Sequence, residues 1–342
     1  MKICICGGGN IAHSLAAVLS VSNDVSVLTR HPENWSSHLR CEQGLKHEIR
    51  QRGRPICATS DRRVVTDSEC VIVALPRFAI KSVVDEIVGG VHHGQAVVFI
   101  PAPSGMDGIV ERFSAMGVVT IGFQRVPFVA RIIEYGKSIW ISAVREVHRL
   151  AFSDMSDADK WKHFFERNFG GTVEYLSSFL SFTFSNSNPL LHPARLGVLL
   201  RGGDYAQCPY FYAEWTDESS DMYVAADEEM HRVFEAYSSQ AAKSDYESAL
   251  AHYEVTCPKE LTHKIRGIES LQAILAPWKK FADGMWRPDY ESRYFTEDIP
   301  FGTKVIQDYA RKIKVETPVI DSMIATVGDY CPDLISINER RG

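Results

Sequence analysis

The stretch Lys2-Ile3-Cys4-Ile5-Cys6-Gly7-Gly8-Gly9-Asn10-Ile11-Ala12 stands near the start of the chain. The run from Lys2 to Cys6 reads as a strand buried on both faces, because polar residues do not alternate with the apolar ones. Three glycines then provide a tight turn. From Asn10 to Ser20 the apolar residues Ile11, Leu15, Val18 and Leu19 fall on one side of a helix. Asp24 to Leu28 is a second short strand. Strand, glycine turn, helix and strand within about thirty residues make one βαβ unit.

The pattern continues outward. Cys70 to Leu75 is an apolar run stopped by Pro76, Phe78 to Val88 reads as a helix, and Ala96 to Ile100 repeats the strand. Val118 to Gly122 adds another. The alternation predicts a doubly wound parallel sheet. From Val126 to about Leu150 alternating segments such as Ile139-Trp140-Ile141 predict antiparallel additions at the sheet edge. A helix over Ala158 to Asn168 and a strand over Thr172 to Leu176 follow. Beyond residue 178 the pattern becomes helical: Leu180 to Leu200 reads as one helix interrupted by Pro189 and Pro193, and Asp227 to Ser238, Tyr246 to Tyr253 and Thr303 to Ile313 read as others. The expected architecture is an α/β Rossmann domain over 1–178 and an all-α domain over 179–342.

A chain of 342 residues suits two such domains. Its net charge of −6 and lack of a basic tract argue against a nucleic-acid partner. No stretch approaches the roughly 18 apolar residues that span a bilayer, and the N-terminus lacks the features of a signal peptide. The 8 cysteines form no CxxC pair, so reduced thiols in a cytoplasmic setting are expected. Neither His92-His93 nor any other histidine has metal-ligand spacing, and no metal is expected.

Gly7, Gly9 and Ala12 form G-x-G-x-x-A between a strand and a helix, the context a dinucleotide site requires. Gly7 permits the turn, Gly9 lets the pyrophosphate approach, and Ala12 lets helix and strand pack closely. The N–H groups of Asn10, Ile11 and Ala12 open the helix toward the phosphates. Leu75 and Pro76, ending the strand that starts at Cys70, are further cofactor candidates. The alternative is an ordinary glycine turn. At the end of the second strand stands Thr29-Arg30, where NAD sites usually carry a carboxylate for the ribose 2′-OH. Arg30 can pair with a 2′-phosphate and Thr29 can donate to it, so NADP is favoured and NAD is the alternative. Arg30 as a solvated loop residue, and Glu33 as a ribose ligand, remain open.

In the second half, Asn188-Pro189-Leu190-Leu191-His192-Pro193 places Asn188 and His192 four residues apart. Farther on come Arg293-Tyr294-Phe295-Thr296-Glu297-Asp298-Ile299-Pro300-Phe301-Gly302 and Thr317-Pro318-Val319-Ile320-Asp321. Together these resemble the octopine (opine) dehydrogenase family, which carries Asn-x-x-x-His-Pro, Arg-Tyr-x-x-x-Asp-x-Pro-x-Gly and Thr-Pro-x-x-Asp segments in this order. Phe211-Tyr212-Ala213-Glu214, Asp227-Glu228-Glu229 and Arg125-Val126-Pro127-Phe128 are similar to further family segments. The family is related in plan to ketopantoate reductases. The resemblance implies an NAD(P)H-dependent oxidoreductase acting on CH–NH donors, which condenses an amino acid with a 2-oxo acid and reduces the imine.

By the same resemblance His192 is the acid/base and Asp298 its orienting carboxylate. The chemistry agrees, since the amine must lose a proton before attack and the ketone oxygen must gain protons before leaving. A relay of this kind needs Asp298 about 2.6–3.2 Å from one imidazole nitrogen, with the other nitrogen facing the nicotinamide. Arg293 is a candidate for a substrate carboxylate or the pyrophosphate, against a surface salt bridge. Asn188 is a candidate for substrate or for capping its helix, and Gln124 is a further substrate candidate. Two other readings stay open: a 2-oxo acid reductase of the ketopantoate reductase kind, which usually carries Lys where His192 stands, and an NADP-binding sensor without catalysis. The expected partners are small molecules, with no nucleic acid and no membrane, and homodimerisation is open.

Overall fold

The computed structural model describes residues 1–50, 52–238 and 245–335. The chain forms two compact units, divided between Phe179 and Leu180.

The first unit begins with β1 (Lys2–Cys6), α1 (Asn10–Leu19) and β2 (Asp24–Leu28), then β3 (Arg40–Gln43), β4 (Glu48–Ile49) and β5 (Cys57–Thr59). It continues through α2 (Arg63–Thr66), β6 (Cys70–Val73), α3 (Arg77–Ile87), β7 (Ala96–Phe99), α4 (Asp107–Ser114) and β8 (Val119–Phe123). After these come β9 (Phe128–Glu134), β10 (Ser138–Val144), β11 (Val147–Phe152), α5 (Ala158–Phe169) and β12 (Thr172–Tyr175). The main sheet has the order β12-β11-β8-β7-β6-β1-β2-β5. β1 pairs in parallel with β2 (Ile3 opposite Val25) and with β6 (Ile3 opposite Cys70), so the strand order reverses on either side of β1. In an open α/β sheet that switch point places the ligand crevice outside the carboxyl ends of the strands. β6 and β7 are buried along their whole length, as their unbroken apolar sequence requires.

The segment expected at the sheet edge divides between two sheets. β11 does pair antiparallel with β8 at the edge. β9 and β10 instead join β3 and β4 in a separate sheet of order β4-β3-β10-β9, where β10 runs parallel to β3. β3 and β4 are short and half polar, so no local pattern announces their long-range partners.

The second unit contains α6 (Leu180–Phe184), α7 (Asn188–Arg201), α8 (Asp217–Tyr237), α9 (Ala249–His252) and α10 (Pro258–Gly267). A short hairpin, β13 (Trp278–Lys280) with β14 (Trp286–Pro288), precedes α11 (Arg293–Thr296), a π-turn over Ile299–Thr303, α12 (Lys304–Ile313), α13 (Pro318–Tyr330) and α14 (Pro332–Ile335). The unit is helical apart from the hairpin. Its core gathers Phe211, Trp215, Tyr223, Phe234 and Phe295 around the fully buried Leu190, Ala194 and Leu196 of α7. The single helix expected from Leu180 to Leu200 is broken at 185–187. Pro189 takes a first-turn position of α7, where no N–H is needed, and so marks the start of a new helix. No helix among the described residues is long and apolar enough to cross a membrane.

Candidate functional site

The glycine turn lies at the carboxyl edge of β1. Gly7 has φ +142°, and a Cβ there would fall 2.5 Å from the Ala74 carbonyl oxygen, so only glycine fits beside the end of β6. Its N–H donates to the Leu28 carbonyl at 3.1 Å, which ties the turn to β2. A Cβ on Gly9, by contrast, would meet nothing within 4 Å. That open space at the start of α1, where the first-turn N–H groups have no acceptor within the helix and Gly9 offers no side-chain cap, fits an approaching pyrophosphate. Ala12 is fully buried against the sheet. Ile11 and Leu75 are half-buried, and the Leu75 Cδ2 would lie 3.4 Å from a Gly7 Cβ. Pro76 is exposed and starts α3. Thr29 is half-buried and Arg30 exposed, with no ion pair to Arg30 among the described residues. Glu33 pairs with His31 at 3.3 Å. The Asn10 side chain is engaged within the protein: its Oδ1 accepts from the Ile132 N–H at 2.8 Å.

In the second unit the structure brings His192 and Asp298 together. His192 Nδ1 donates to Asp298 Oδ2 at 2.7 Å across 106 residues of chain. The seam that makes this possible begins with Pro193. A proline there cannot donate to the carbonyl four residues back, which belongs to Pro189. The freed Pro189 carbonyl accepts from Thr303 Oγ1 at 2.5 Å. Thr303 in turn donates its backbone N–H to the Asp298 carbonyl at 2.9 Å. Beside it, a Cβ on Gly302 would lie 2.6 Å from Pro189 Cγ, so the π-turn seats directly on the first turn of α7. The prolines of α7 and the glycine and threonine after Asp298 are therefore two halves of one joint.

His192 is 6 % exposed. Its second nitrogen does not stand open as expected: with Nδ1 holding the proton, Nε2 accepts from the Tyr212 hydroxyl at 3.0 Å. Tyr212 also hydrogen-bonds Tyr294, and burial followed by its neighbours pushes the Tyr212 hydroxyl far above the usual phenol range. Burial also raises Tyr294, while the bond to Tyr212 opposes that rise. The Tyr294 and Phe211 rings flank the imidazole at 4.3 and 5.6 Å between centroids. Arg195, 3 % exposed, holds the Phe211 carbonyl through Nε at 3.1 Å, and burial lowers its guanidinium to about 10. Tyr212 and Tyr294 lie inside the quoted motifs, but nothing in the sequence singles them out, because a tyrosine in an aromatic run carries no mark of a hydroxyl aimed at an imidazole.

Other motif residues bond inside the fold. Glu229 receives the Val319 and Ile320 N–H groups, each at 2.9 Å, and so caps α13. Asp227 receives the Ala249 N–H and the Tyr246 hydroxyl, each at 2.8 Å. Asp321 is bonded by Gln307. Arg293 has an 82 % exposed side chain paired with Glu297 at 2.8 Å, a surface ion pair. Asn188 is the exposed first residue of α7 rather than its cap; Asn186 Oδ1 accepts its N–H at 3.2 Å. Gln124 belongs to the first unit, half-buried at the end of β8, with its N–H on the Arg149 carbonyl at 2.9 Å.

Comparison with known proteins agrees with both units. Residues 175–331 match the family described as NAD/NADP octopine/nopaline dehydrogenase, alpha-helical domain, and residues 2–103 match the family of coenzyme F420-dependent NADP oxidoreductases. The chain is 26% identical to an octopine dehydrogenase of Mizuhopecten yessoensis over 360 residues, covering 95% of this chain and 88% of that one. A tauropine dehydrogenase of Arabella iricolor is 24% identical, with 94% and 89% covered. A solved octopine dehydrogenase with NADH and L-arginine superposes with a TM-score of 0.83 at 22% identity, covering 96% of this chain and 89% of that one. The glycine turn is shaped for a dinucleotide, the helical unit matches the octopine/nopaline dehydrogenase alpha-helical domain from 175 to 331, and the chain as a whole is similar to octopine dehydrogenases.

Proposed function

We propose that this chain condenses an amino acid with a 2-oxo acid and reduces the resulting imine, with NADPH preferred over NADH. The observation that carries the proposal is the 2.7 Å contact of His192 with Asp298, made by the two motifs that resemble the family's acid/base pair. The carboxylate on Nδ1 fixes the tautomer and leaves the Nε2 lone pair as the base. His192 takes a proton from the substrate ammonium, freeing the amine to attack the ketone carbon. The proton is returned to the carbinol oxygen, which leaves as water. When bound, the dihydronicotinamide supplies the hydride that completes the secondary amine.

Tyr212 occupies Nε2 in the present structure. Its phenol is therefore the group through which a proton passes between His192 and substrate. Arg293 is placed as a candidate for a substrate carboxylate: an exposed ion pair such as that with Glu297 is worth only about 0–1 kcal/mol, so exchanging partners is inexpensive. Asn188 and Gln124 are retained as weaker substrate candidates. The preference for NADPH is supported by Thr29 and an exposed Arg30 where a carboxylate would repel a 2′-phosphate. Eight scattered cysteines without a CxxC pair support a cytosolic setting.

The test is NADPH oxidation with a panel of 2-oxo acids and amino acids, together and singly. Turnover that requires both is expected. A 2-oxo acid reduced equally fast without any amine would replace this reading with a simple ketoacid reductase.

A further inference from the structure

The middle residue of the glycine turn has no assigned role in a G-x-G-x-x-A motif, yet here it is Gly8. The structure supplies the reason. A Cβ on Gly8 would lie 2.6 Å from the Tyr135 hydroxyl and 3.4 Å from Thr29 Oγ1. Two hydroxyls, one from the end of β2 and one from the turn between β9 and β10, thus bracket a single point above the glycine turn.

The β9–β10 turn is strapped in place. His13, fully buried in α1, donates from Nδ1 to the Gly9 carbonyl at 3.0 Å and accepts the Gly136 N–H on Nε2 at 2.8 Å. The Gly136 carbonyl accepts from the Ser36 N–H at 2.8 Å, and Asn10 Oδ1 holds Ile132 on β9. The Tyr135 ring packs edge-on against His13 at 5.0 Å and Trp35 at 6.1 Å. These contacts leave Tyr135 40% exposed, with its hydroxyl beside the cofactor turn.

In a Rossmann unit the pyrophosphate sits at the N-terminus of the first helix and the adenosine ribose at the end of the second strand. The point above Gly8, with the Tyr135 hydroxyl 2.6 Å and Thr29 Oγ1 3.4 Å from it, lies between those positions. We propose that Tyr135 is a cofactor-selecting residue whose hydroxyl donates a hydrogen bond to the 2′-phosphate of NADPH, beside Thr29 and Arg30. The inference rests on the NADPH preference proposed above. It also explains Gly8: any side chain there displaces the phenol.

The experiment measures dissociation constants for NADPH and NADH by quenching of protein fluorescence, in wild type, Arg30→Ala, Tyr135→Phe, Gly8→Ala and Gly8→Ala/Tyr135→Phe. Tyr135→Phe should weaken NADPH roughly 3–10-fold, the loss of a partly exposed bond to a charged acceptor, and change NADH by less than about twofold. Gly8→Ala should weaken cofactor binding in wild type but add little to Tyr135→Phe, because the new methyl collides with the hydroxyl while clearing the ring carbon Cζ by 3.7 Å. If wild type binds NADH as tightly as NADPH, the NADPH reading fails and this inference with it. If Arg30→Ala abolishes the preference while Tyr135→Phe leaves the NADPH:NADH ratio unchanged, the assignment of Tyr135 alone is overturned. Equal damage from Gly8→Ala in both backgrounds overturns it as well.

Discussion

Thr303→Val tests the joint between α7 and the π-turn. Valine is nearly isosteric, and Thr303 is fully buried, so the change opens no cavity and removes one donor. The Pro189 carbonyl, which Pro193 already deprives of its helical partner, then loses its hydrogen bond from Thr303 Oγ1 at 2.5 Å. A buried acceptor left unpaired costs about 1–3 kcal/mol. For a unit of this size each kcal/mol lowers Tm by about 2–4 °C, so a fall of roughly 2–12 °C is expected. Thr303 Oγ1 also donates to the Asp298 carbonyl at 3.2 Å, so Asp298 loses one of the ties that seat it, and kcat should drop about 2–10-fold, the equivalent of one neutral hydrogen bond. The decisive variant is Thr303→Val/Pro193→Ala. The second substitution returns a backbone N–H that can reach the Pro189 carbonyl, so stability should recover, while kcat stays low because the new bond does nothing for Asp298. Differential scanning calorimetry and steady-state turnover read the two effects separately. If adding Pro193→Ala leaves Tm depressed, or if it restores turnover along with Tm, the account of this joint is wrong.

Three further outcomes follow from the same geometry. Asp298→Asn keeps the shape but removes the charge facing Nδ1, and should cut kcat about 10–100-fold, equivalent to roughly 1.5–3 kcal/mol for a bond to a charged group, with NADPH affinity within about twofold of wild type; parallel losses of both would instead indicate general misfolding. Gly302→Ala places a methyl 2.6 Å from Pro189 Cγ and should destabilise the second unit by about 1–3 kcal/mol, measurable as a lower urea midpoint at constant m. Burial lowers both His13 and His148 from the ordinary imidazole value of 6.5. The unfolded chain then binds more protons, so stability is fully present above about pH 6.5 and is lost as pH falls below it, by at most about 1.4 kcal/mol per pH unit for each histidine; His13→Gln/His148→Gln should flatten that slope in thermal melts of the cofactor-free protein.

Where a strand is buried on both faces, its sequence alone reveals it: β1, β6 and β7 are unbroken apolar runs, and their order around Gly7 is readable because the glycine turn marks the switch point. β3 and β4 are not readable. Arg40, Glu42 and Glu48 give them a mixed surface, and β3 is held by pairing with Ile139 and Trp140 nearly a hundred residues away. The break between α6 and α7 is half readable, since Pro189 announces a helix start as clearly as a helix stop. The acidic cluster Asp227-Glu228-Glu229 shows the opposite difficulty. Its charge looks functional, yet two of its carboxylates spend their lone pairs on the backbone N–H groups of α9 and α13.

The candidate site divides along the same line. His192 and Asp298 are legible as members of two motifs, and the residues that join them stand in those motifs without an evident purpose. Pro193 looks like a defect in a helix until its missing donor is matched to the Pro189 carbonyl and then to Thr303. Gly302 looks like a turn residue until Pro189 is seen against it. Tyr212 is the residue whose role does not follow, because hydroxyl direction depends on the path of the loop that Arg195 holds through the Phe211 carbonyl. That path is set by a buried guanidinium on the same helix as His192, three residues later and one turn along. One helix therefore presents the imidazole, frees the carbonyl that seats its carboxylate, and anchors the loop that brings the phenol to its other nitrogen. Moving any of the three without the others breaks the line from Asp298 through His192 to Tyr212, which explains why the His-Pro segment and the two distant motifs belong together in one chain.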